Sequence, residues 1–287
     1  MLLYGVSRQG RYDMVKLRLG HIEYSNCIPV HSLLLDGDVP EGLELRRGVP
    51  SALNAELRAG TIDVAPSSSI EYARNAARYR LIPGFAIGSV GALGSVVLET
   101  DRPAEELDGE EVVLPTASAT SVVLLRVLLE TRLGVRPRYR WHEQSDDADP
   151  FAGGAAAALW IGDVALRRAM RTSRRILDLG ELWTEWTGLP FVFALWQIAA
   201  GPERDTELLA LQETLRESMR YFEGHVDELA ARHAATYGLS PEHLAGYWQS
   251  LEYGLDERQQ RGLLHFYRCA VELGEAPAVP ELRWITG

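Results

Sequence analysis

Short apolar runs alternate with amphipathic segments along the first two thirds of the chain. The runs are rich in Val, Ile and Leu and are typical of buried strands, whereas apolar positions spaced by three and four residues are typical of helices. Predicted strands cover residues 17–22, 43–49, 61–66, 81–87, 94–99, 111–115, 138–142, 157–161 and 191–198. From residue 203 onward the pattern predicts helix throughout.

Alternating strands and helices predict an α/β fold with parallel sheets and right-handed crossovers. The chain has 287 residues, 46% of them hydrophobic, and this length suits two lobes better than one large unit. We predict a first lobe from residues 1–97 and 198–287 and a second lobe from residues 98–197. The apolar strand at 191–198 would cross back to the first lobe, and the helical tail would pack around it.

Local signals predict where two of the helices begin and end. Pro50 and Gly60 have the positions expected at the start and just past the end of a short helix. Ser68 and Glu71 have the spacing of a capping box, which predicts a second helix from there to about Tyr79.

Charge and composition exclude several classes of function. The formal net charge is -11 and there is no basic run, so the chain lacks the clustered Lys and Arg that nucleic-acid phosphates require. Lys16 is the only lysine and precedes the first strand, which argues against lysine-bound pyridoxal chemistry. No apolar run is long enough to span a bilayer. The sequence does not predict an oligomeric state.

The predicted compartment is the cytoplasm. Cys27 and Cys269 match no metal or redox spacing and fit a reduced protein. Residues 1–12 lack the apolar segment and the cleavage site of a secretory signal, and Met14 is an alternative start to Met1.

Asn26 is the first candidate for chemistry, because it stands where the first predicted strand ends and Pro29 stops further pairing. In open α/β folds ligands bind beyond the carboxyl ends of strands, where Asn26 would offer one acceptor and two donors. The alternative is that Asn26 only shapes its own turn.

Two hydroxyl-rich loops precede predicted helices, at residues 116–121 and 67–69. Unsatisfied N–H groups at the start of a helix bind carboxylate or phosphate without Lys or Arg, although ordinary N-capping explains both loops equally well. Ser95 begins a strand after a glycine-rich loop, where its hydroxyl would point into the same cleft as Asn26; the alternative is an ordinary strand serine. No Gly-x-Ser-x-Gly elbow marks it as a hydrolase nucleophile. Asp163 follows a buried strand, where helix capping is the simpler role.

The histidines and the aromatic residues are the remaining candidates for a binding site. The seven histidines form no metal constellation, so neither a metal nor a cofactor is predicted. Residues 178–191 are rich in aromatics and would either wall an aromatic-ring pocket or belong to the core.

Six segments of the chain form a recognisable set: Tyr24–Pro29, Ser68–Tyr72, Gly94–Val96, Ser118–Ser121, Ile161–Leu166 and Thr187–Ala194. Together, and in this order, they resemble the chorismate dehydratase family of the futalosine route to menaquinone. The resemblance covers residues 17 to 197, and the tail after Gly201 carries no matching motif.

The resemblance implies a two-lobed, type II periplasmic-binding-protein-like fold with a ligand cleft between the lobes. It also implies a cofactor-independent hydro-lyase that converts chorismate, a small dicarboxylate, into 3-[(1-carboxyvinyl)oxy]benzoate and water. By this likeness Asn26 and Ser95 are catalytic. The implied substrate contacts are Ser67, Ser68, Gly94, Ser118, Ala119, Thr120, Ser121 and Asp163.

Two rival functions remain open at the level of the sequence. The same fold serves non-catalytic binders of small carboxylates. The sister enzyme, 1,4-dihydroxy-6-naphthoate synthase, has a related fold, but its family has a Pro-Asn motif at the first strand and a cleft histidine, which this sequence lacks.

Overall fold

The computed structural model describes residues 16–286, so the choice between Met1 and Met14 as the start lies outside the described residues. The strands in chain order are β1 Leu17–Ile22, β2 Leu43–Gly48, β3 Val64–Ser68, β4 Arg80–Ser89, β5 Val96–Thr100, β6 Glu111–Pro115, β7 Arg138–His142, β8 Ala157–Ile161, β9 Arg175–Asp178 and β10 Phe191–Ile198. The helices are α1 Ile28–Leu35, α2 Pro50–Ala59, α3 Ser69–Asn75, α4 Thr120–Arg126, α5 Gly162–Ala169, α6 Leu179–Thr187, α7 Asp205–Gly224, α8 Val226–His233, α9 Pro241–Gln249 and α10 Glu257–Glu272.

The strands form two five-stranded sheets, and the predicted α/β fold class is confirmed. The first sheet has the order β2-β1-β3-β10-β4 and the second the order β7-β6-β8-β5-β9. The prediction that both sheets are parallel is wrong. In the first sheet β10 runs antiparallel to β3 and β4, and in the second β5 runs antiparallel to β8 and β9. Each of these two strands lies between strands that are distant from it in sequence, β10 between β3 and β4 and β5 between β8 and β9. A pattern of alternating strands and helices does not reveal such pairings.

The chain passes between the sheets twice. It leaves the first sheet after β4 and enters the second at β5, and it returns between α6 and β10. All of β10 therefore lies in the first sheet, whereas the predicted boundary after residue 197 assigned most of it to the second lobe. As domain limits the predicted boundaries stay a prediction.

Local helix signals had mixed outcomes. Helix α2 begins at Pro50 and ends before Gly60, whose φ of 71° is the left-handed conformation that favours glycine. The capping box is wrong: Ser68 has the N-cap position of α3 but makes no side-chain capping bond, and Glu71 pairs with Arg58 at 2.8 Å. The α-helical part of this segment ends at Asn75 rather than near Tyr79.

The C-terminal helices pack mainly on the first sheet. Helix α7 packs on α1, and α10 packs on β10 and α3. The prediction of helix throughout this region fails after α10, because the final segment runs along β4, where Trp284 forms a bridge with Leu81. Among residues 16–286, no helix is long and apolar enough to cross a membrane.

Gly262 shows how closely α10 approaches the residues just before β10, the strand by which the chain returns to the first sheet. A Cβ atom there would lie 2.1 Å from the Pro190 carbonyl oxygen, whereas one at Gly246 in α9 would meet nothing within 4 Å. We expect Gly262→Ala to lower the free energy of unfolding by about 3 kcal/mol, because backbone would have to move. Gly246→Ala should raise it by up to about 1 kcal/mol through helix propensity. Denaturant unfolding of both variants tests this, and equal midpoints would contradict the packing described for α10.

Candidate active site

A cleft lies between the two sheets at the carboxyl ends of β1, β3 and β8. Parallel strands of an α/β sheet present their following loops at this edge, so the ends of several strands meet around one space. The cleft has a volume of about 590 Å³ including its open mouth. Its lining is Ile22, Tyr24, Asn26, Pro50, Ser68, Ile87, Leu93, Ser95, Val96, Ala117, Ser118, Ser121, Ile161, Gly162, Phe193 and Ala194.

No Asp, Glu, Lys, Arg or His belongs to the part of this lining that the structure describes. A ligand in the cleft therefore meets apolar walls, hydroxyls, one phenol and one amide. Such a site recognises a ligand by hydrogen bonds and shape rather than by ion pairing.

Asn26 lies in a single 3₁₀ turn, Ser25–Cys27, that joins β1 to α1. Its amide oxygen is buried, and among residues 16–286 it has no hydrogen-bond partner. An unsatisfied buried acceptor costs about 1–3 kcal/mol, so it marks a place where a ligand donor would be stabilising. The alternative that Asn26 shapes its own turn has no side-chain hydrogen bond within the described residues to support it.

The turn that carries Asn26 is anchored through its neighbour Ser25. The backbone N–H and the hydroxyl of Ser25 both donate to the carboxylate of Asp163, and the Trp248 indole donates to the Ser25 carbonyl at 2.8 Å. Asp163 belongs to the second lobe and Trp248 to α9. Two segments that are remote in sequence thus hold the turn, and with it the position of the Asn26 side chain in the cleft.

Asp163 stands inside the first turn of α5 and does not line the cleft. Burial raises the pKa of its carboxyl group above the ordinary value, and the hydrogen bonds from Ser25 oppose that rise. The ring of Tyr24 lies against Gly162, where an added Cβ would be 3.2 Å from the ring. Burial, followed by the nearby charge of Asp163, raises the pKa of Tyr24 to about 12. Asp163 therefore connects the lobes beside the cleft.

Ser95 is positioned by the loop that leads from β4 to β5. The Leu93 and Gly94 N–H groups donate to Asp178 at 3.0 and 2.6 Å, and the other oxygen of Asp178 caps α6. Gly94 has a φ of 75°. The Ser95 hydroxyl oxygen accepts a hydrogen bond from Tyr247 at 2.9 Å.

The loop at residues 116–121 contributes two hydroxyls to the cleft. Ser118 donates to the Ser121 hydroxyl at 3.0 Å, and both residues line the space. Thr120 is buried between the lobes, where its hydroxyl oxygen accepts from the Ile70 N–H at 3.2 Å. Ala119 faces a neighbouring groove instead.

The serine pair of β3 divides in the same way. Ser68 lines the cleft, whereas the fully buried Ser67 donates to the Asn54 side chain at 2.5 Å. Of the predicted site residues, the structure brings Asn26, Ser68, Ser95, Ser118 and Ser121 together around one space. The side chains of Ser67, Thr120 and Asp163 are used inside the protein, and Gly94 and Ala119 lie beside the cleft.

Sequence reasoning missed Tyr247, Trp248 and Asp178. Tyr247 and Trp248 lie on α9, in the tail that carries no recognisable motif, and Asp178 closes a strand that was not predicted. No local signal identifies these three, because their partners are remote in sequence. The aromatics of residues 178–191 are core rather than cleft wall: Trp183 is fully buried and packs on Phe191.

Two histidines lie close behind the Asn26 turn without reaching the cleft. His21 and His31 share a hydrogen bond between their Nδ1 atoms at 2.9 Å, and the Trp196 indole donates to Nε2 of His31 at 3.1 Å. Burial lowers the pKa of His21 to about 4 and that of His31 well below its ordinary value. This pair is neutral and belongs to the core.

Comparison with solved structures defines the class of protein. The protein AF1704 from Archaeoglobus fulgidus matches with a TM-score of 0.73 and 22% identity, over 91% of this chain and 99% of that one. The periplasmic aliphatic sulphonate binding protein SsuA from Escherichia coli matches with a TM-score of 0.67 and 14% identity, over 95% and 94%. The chain thus has the two-lobed fold of periplasmic binding proteins, as predicted.

Sequence comparison then gives the family. A family model described as menaquinone biosynthesis matches residues 17–272. A chorismate dehydratase of Thermus thermophilus is 31% identical over 86% of this chain and 93% of its own length. A 1,4-dihydroxy-6-naphthoate synthase of the same organism is 28% identical over 93% and 98%. The chain belongs to this menaquinone-biosynthesis family.

Proposed function

We propose that this protein is a chorismate dehydratase, a hydro-lyase that converts chorismate into 3-[(1-carboxyvinyl)oxy]benzoate and water without a cofactor. The observation that carries the proposal is the pairing of Asn26, with its unpartnered amide oxygen, and Ser95 in one uncharged cleft. Membership of the menaquinone-biosynthesis family and the dehydratase relative from Thermus thermophilus support it.

The reaction can be catalysed by residues without ionisable side chains, because the substrate supplies most of the driving force. The proton at C3 of chorismate is vinylogously α to the ring carboxylate, and the hydroxyl group leaves from the adjacent C4. Loss of both makes the ring aromatic. The enzyme has to fix the conformation, stabilise the charge that grows on the ring carboxylate, and help hydroxide to leave as water.

Neither Asn26 nor Ser95 has a pKa suited to removing a proton from carbon. We assign that step to the enolpyruvyl carboxylate of chorismate, which takes the C3 proton as the electron pair moves into the ring. The C4–O bond then breaks, and the proton leaves with the hydroxide as water. Ser95 and Asn26 orient the carboxylate and the departing hydroxyl group by hydrogen bonding.

The charge-free lining supports this assignment. An adjacent Arg or Lys would stabilise the ionised carboxylate and lower its pKa, which would make it a weaker base. The described lining supplies hydroxyl and amide groups instead. A substrate carboxylate held in this cleft would therefore keep its basicity while it is fixed in position.

Asp163 is a carboxylate of the protein for which the same role is conceivable. Its two oxygens accept the hydroxyl and the N–H of Ser25, so neither faces the cleft without a partner. This arrangement favours a structural role for Asp163 at the junction of the lobes. The hydroxyls of Ser68, Ser118 and Ser121 are proposed to bind the substrate carboxylates.

Incubation of the purified protein with chorismate tests the function. We expect an aromatic product of chorismate minus water, detected by chromatography and mass spectrometry, to appear at a rate proportional to enzyme concentration. Chorismate alone and the heat-denatured protein are the controls. Chorismate that stays unchanged at high enzyme loading, but binds in calorimetry, would favour the non-catalytic binder.

The sister reaction, formation of 1,4-dihydroxy-6-naphthoate, is the second enzymatic candidate because of the full-length relative. A cleft histidine is expected for that enzyme, and the described cleft lining contains none. We also propose a cytoplasmic location, which fits two buried cysteines without a disulfide in the described chain.

A further inference from the structure

Helix α9 touches both groups to which the proposed function gives catalytic roles. Tyr247 and Trp248 are consecutive and almost fully buried. Tyr247 donates to the Ser95 hydroxyl at 2.9 Å, and Trp248 donates to the carbonyl of Ser25, next to Asn26. Neither residue lines the cleft, so neither would touch the substrate.

The position of Tyr247 is fixed from behind. The segment after α9 pairs with β4, where Gly88 and Glu252 exchange two backbone hydrogen bonds of 2.8 Å. Burial raises the pKa of Tyr247 far above its ordinary value, and hydrogen bonding to Ser95 and Asn26 only partly opposes that rise. The phenol therefore stays protonated and remains a donor.

A hydroxyl group has one proton and two lone pairs. Because the Tyr247 proton occupies one lone pair of the Ser95 oxygen, the proton of Ser95 has to point in another direction. Among residues 16–286 the Ser95 hydroxyl donates no hydrogen bond, and Ser95 lines the cleft, so the cleft is the place where this proton can meet an acceptor.

We propose that Tyr247 is a positioning residue that holds the Ser95 hydroxyl in the one rotational state that donates into the cleft. This inference rests on the proposed function and adds a residue from the C-terminal tail to its machinery. The class of ligand group that Ser95 meets is then an acceptor, such as a carboxylate or a departing hydroxyl oxygen. Without Tyr247 the hydroxyl would rotate among its staggered orientations, and its proton would point into the cleft in only part of the population.

The test is Tyr247→Phe, which removes the donor and keeps the ring. We expect kcat to fall about tenfold, the value of one neutral hydrogen bond, with a smaller change in KM. The matched control is Tyr253→Phe. The Tyr253 hydroxyl is also buried but has no partner among the described residues, so its removal should leave kcat unchanged.

A double-mutant cycle separates positioning from a general structural role. In the Ser95→Ala background, Tyr247→Phe should lower kcat by much less than tenfold, because the hydroxyl that it positions is gone and only its hydrogen bond with Asn26 is left to lose. An additional tenfold loss in that background, or an unchanged kcat in the single variant, would overturn the inference.

The positioning role of Tyr247 can be tested even if the proposed function is wrong. Should the wild-type protein not turn over chorismate, the neutron crystal structure of Tyr247→Phe decides the inference by itself. We then expect the deuterium of the Ser95 hydroxyl to occupy more than one orientation, against a single orientation towards the cleft in Tyr253→Phe. A single, unchanged orientation in both variants would contradict the positioning role.

Discussion

Replacing Asn26 with alanine is expected to lower kcat for chorismate by a factor of about 100 or more, as the loss of a hydrogen bond made in the transition state does. The amide oxygen is buried without a partner among residues 16–286, so the loss of this oxygen costs the free protein no hydrogen bond. We expect the thermal midpoint of Asn26→Ala to stay close to that of the wild type, because relief of the unfavourable burial of the oxygen offsets the loss of the hydrogen bond with Tyr247.

Ser95→Ala should cause a loss of kcat of the same size, with a different effect on stability. This variant leaves the Tyr247 hydroxyl buried without its acceptor, which costs about 1–2 kcal/mol and should lower the thermal midpoint by a few degrees. Steady-state kinetics and thermal unfolding of both variants give the two readouts.

The matched control for these substitutions is Ser218→Ala. Ser218 is fully buried in α7, away from the cleft, and its hydroxyl has no partner in the described part of the chain. Its removal should change neither kcat nor KM. Near-normal turnover in both Asn26→Ala and Ser95→Ala would contradict the catalytic roles proposed for these two residues.

Much of the fold is predictable because its strands are locally marked. The bounds predicted for β1, β6, β7, β8 and β10 agree with the structure, since each is an apolar or alternating run between turn residues. Strand β3 was predicted to start at Thr61 but starts at Val64, and Asp63, read as part of the strand, forms an ion pair with Arg18 at 2.7 Å. That contact joins residues 45 positions apart, which no local pattern contains.

The same distinction applies to the candidate site. Asn26 and Ser68 occur at strand ends, and Ser95 follows a glycine loop, so local rules of α/β folds are enough to nominate them. The residues that hold these groups in place are not local: Tyr247 reaches Ser95 across 152 positions, and Asp178 reaches Gly94 across 84. The role of Tyr247 emerges only when the tail packs on the first sheet, and that of Asp178 only when β9 pairs with β5 in the second sheet.

The sequence also did not predict that the hydroxyls of Thr120 and Ser67 form hydrogen bonds within the protein instead of facing a ligand. A hydroxyl in a polar loop has the same pattern whether it faces a ligand or a backbone N–H. Thr120 is satisfied by α3 of the opposite lobe, and Ser67 by Asn54 of α2. The relative placement of the two sheets decides between the two outcomes, and composition does not encode that placement directly.

The identity of the base gives the second large expected effect. A chorismate analogue whose enolpyruvyl carboxylate is a methyl ester should turn over about 1000-fold more slowly than chorismate, because a general base contributes roughly 100- to 10000-fold. Competition against chorismate turnover measures whether the ester still binds, so that loss of affinity is separated from loss of the base.

Asp163→Asn provides the complementary arm with chorismate itself. An asparagine oxygen still accepts one of the two Ser25 hydrogen bonds, so we expect the variant to fold and to keep kcat within about tenfold of wild type. If Asp163 were the base, this variant would be inactive and the methyl ester would react at a rate close to that of chorismate. The two rates measured together therefore assign proton removal either to the substrate or to Asp163, because each assignment predicts the opposite pair of results.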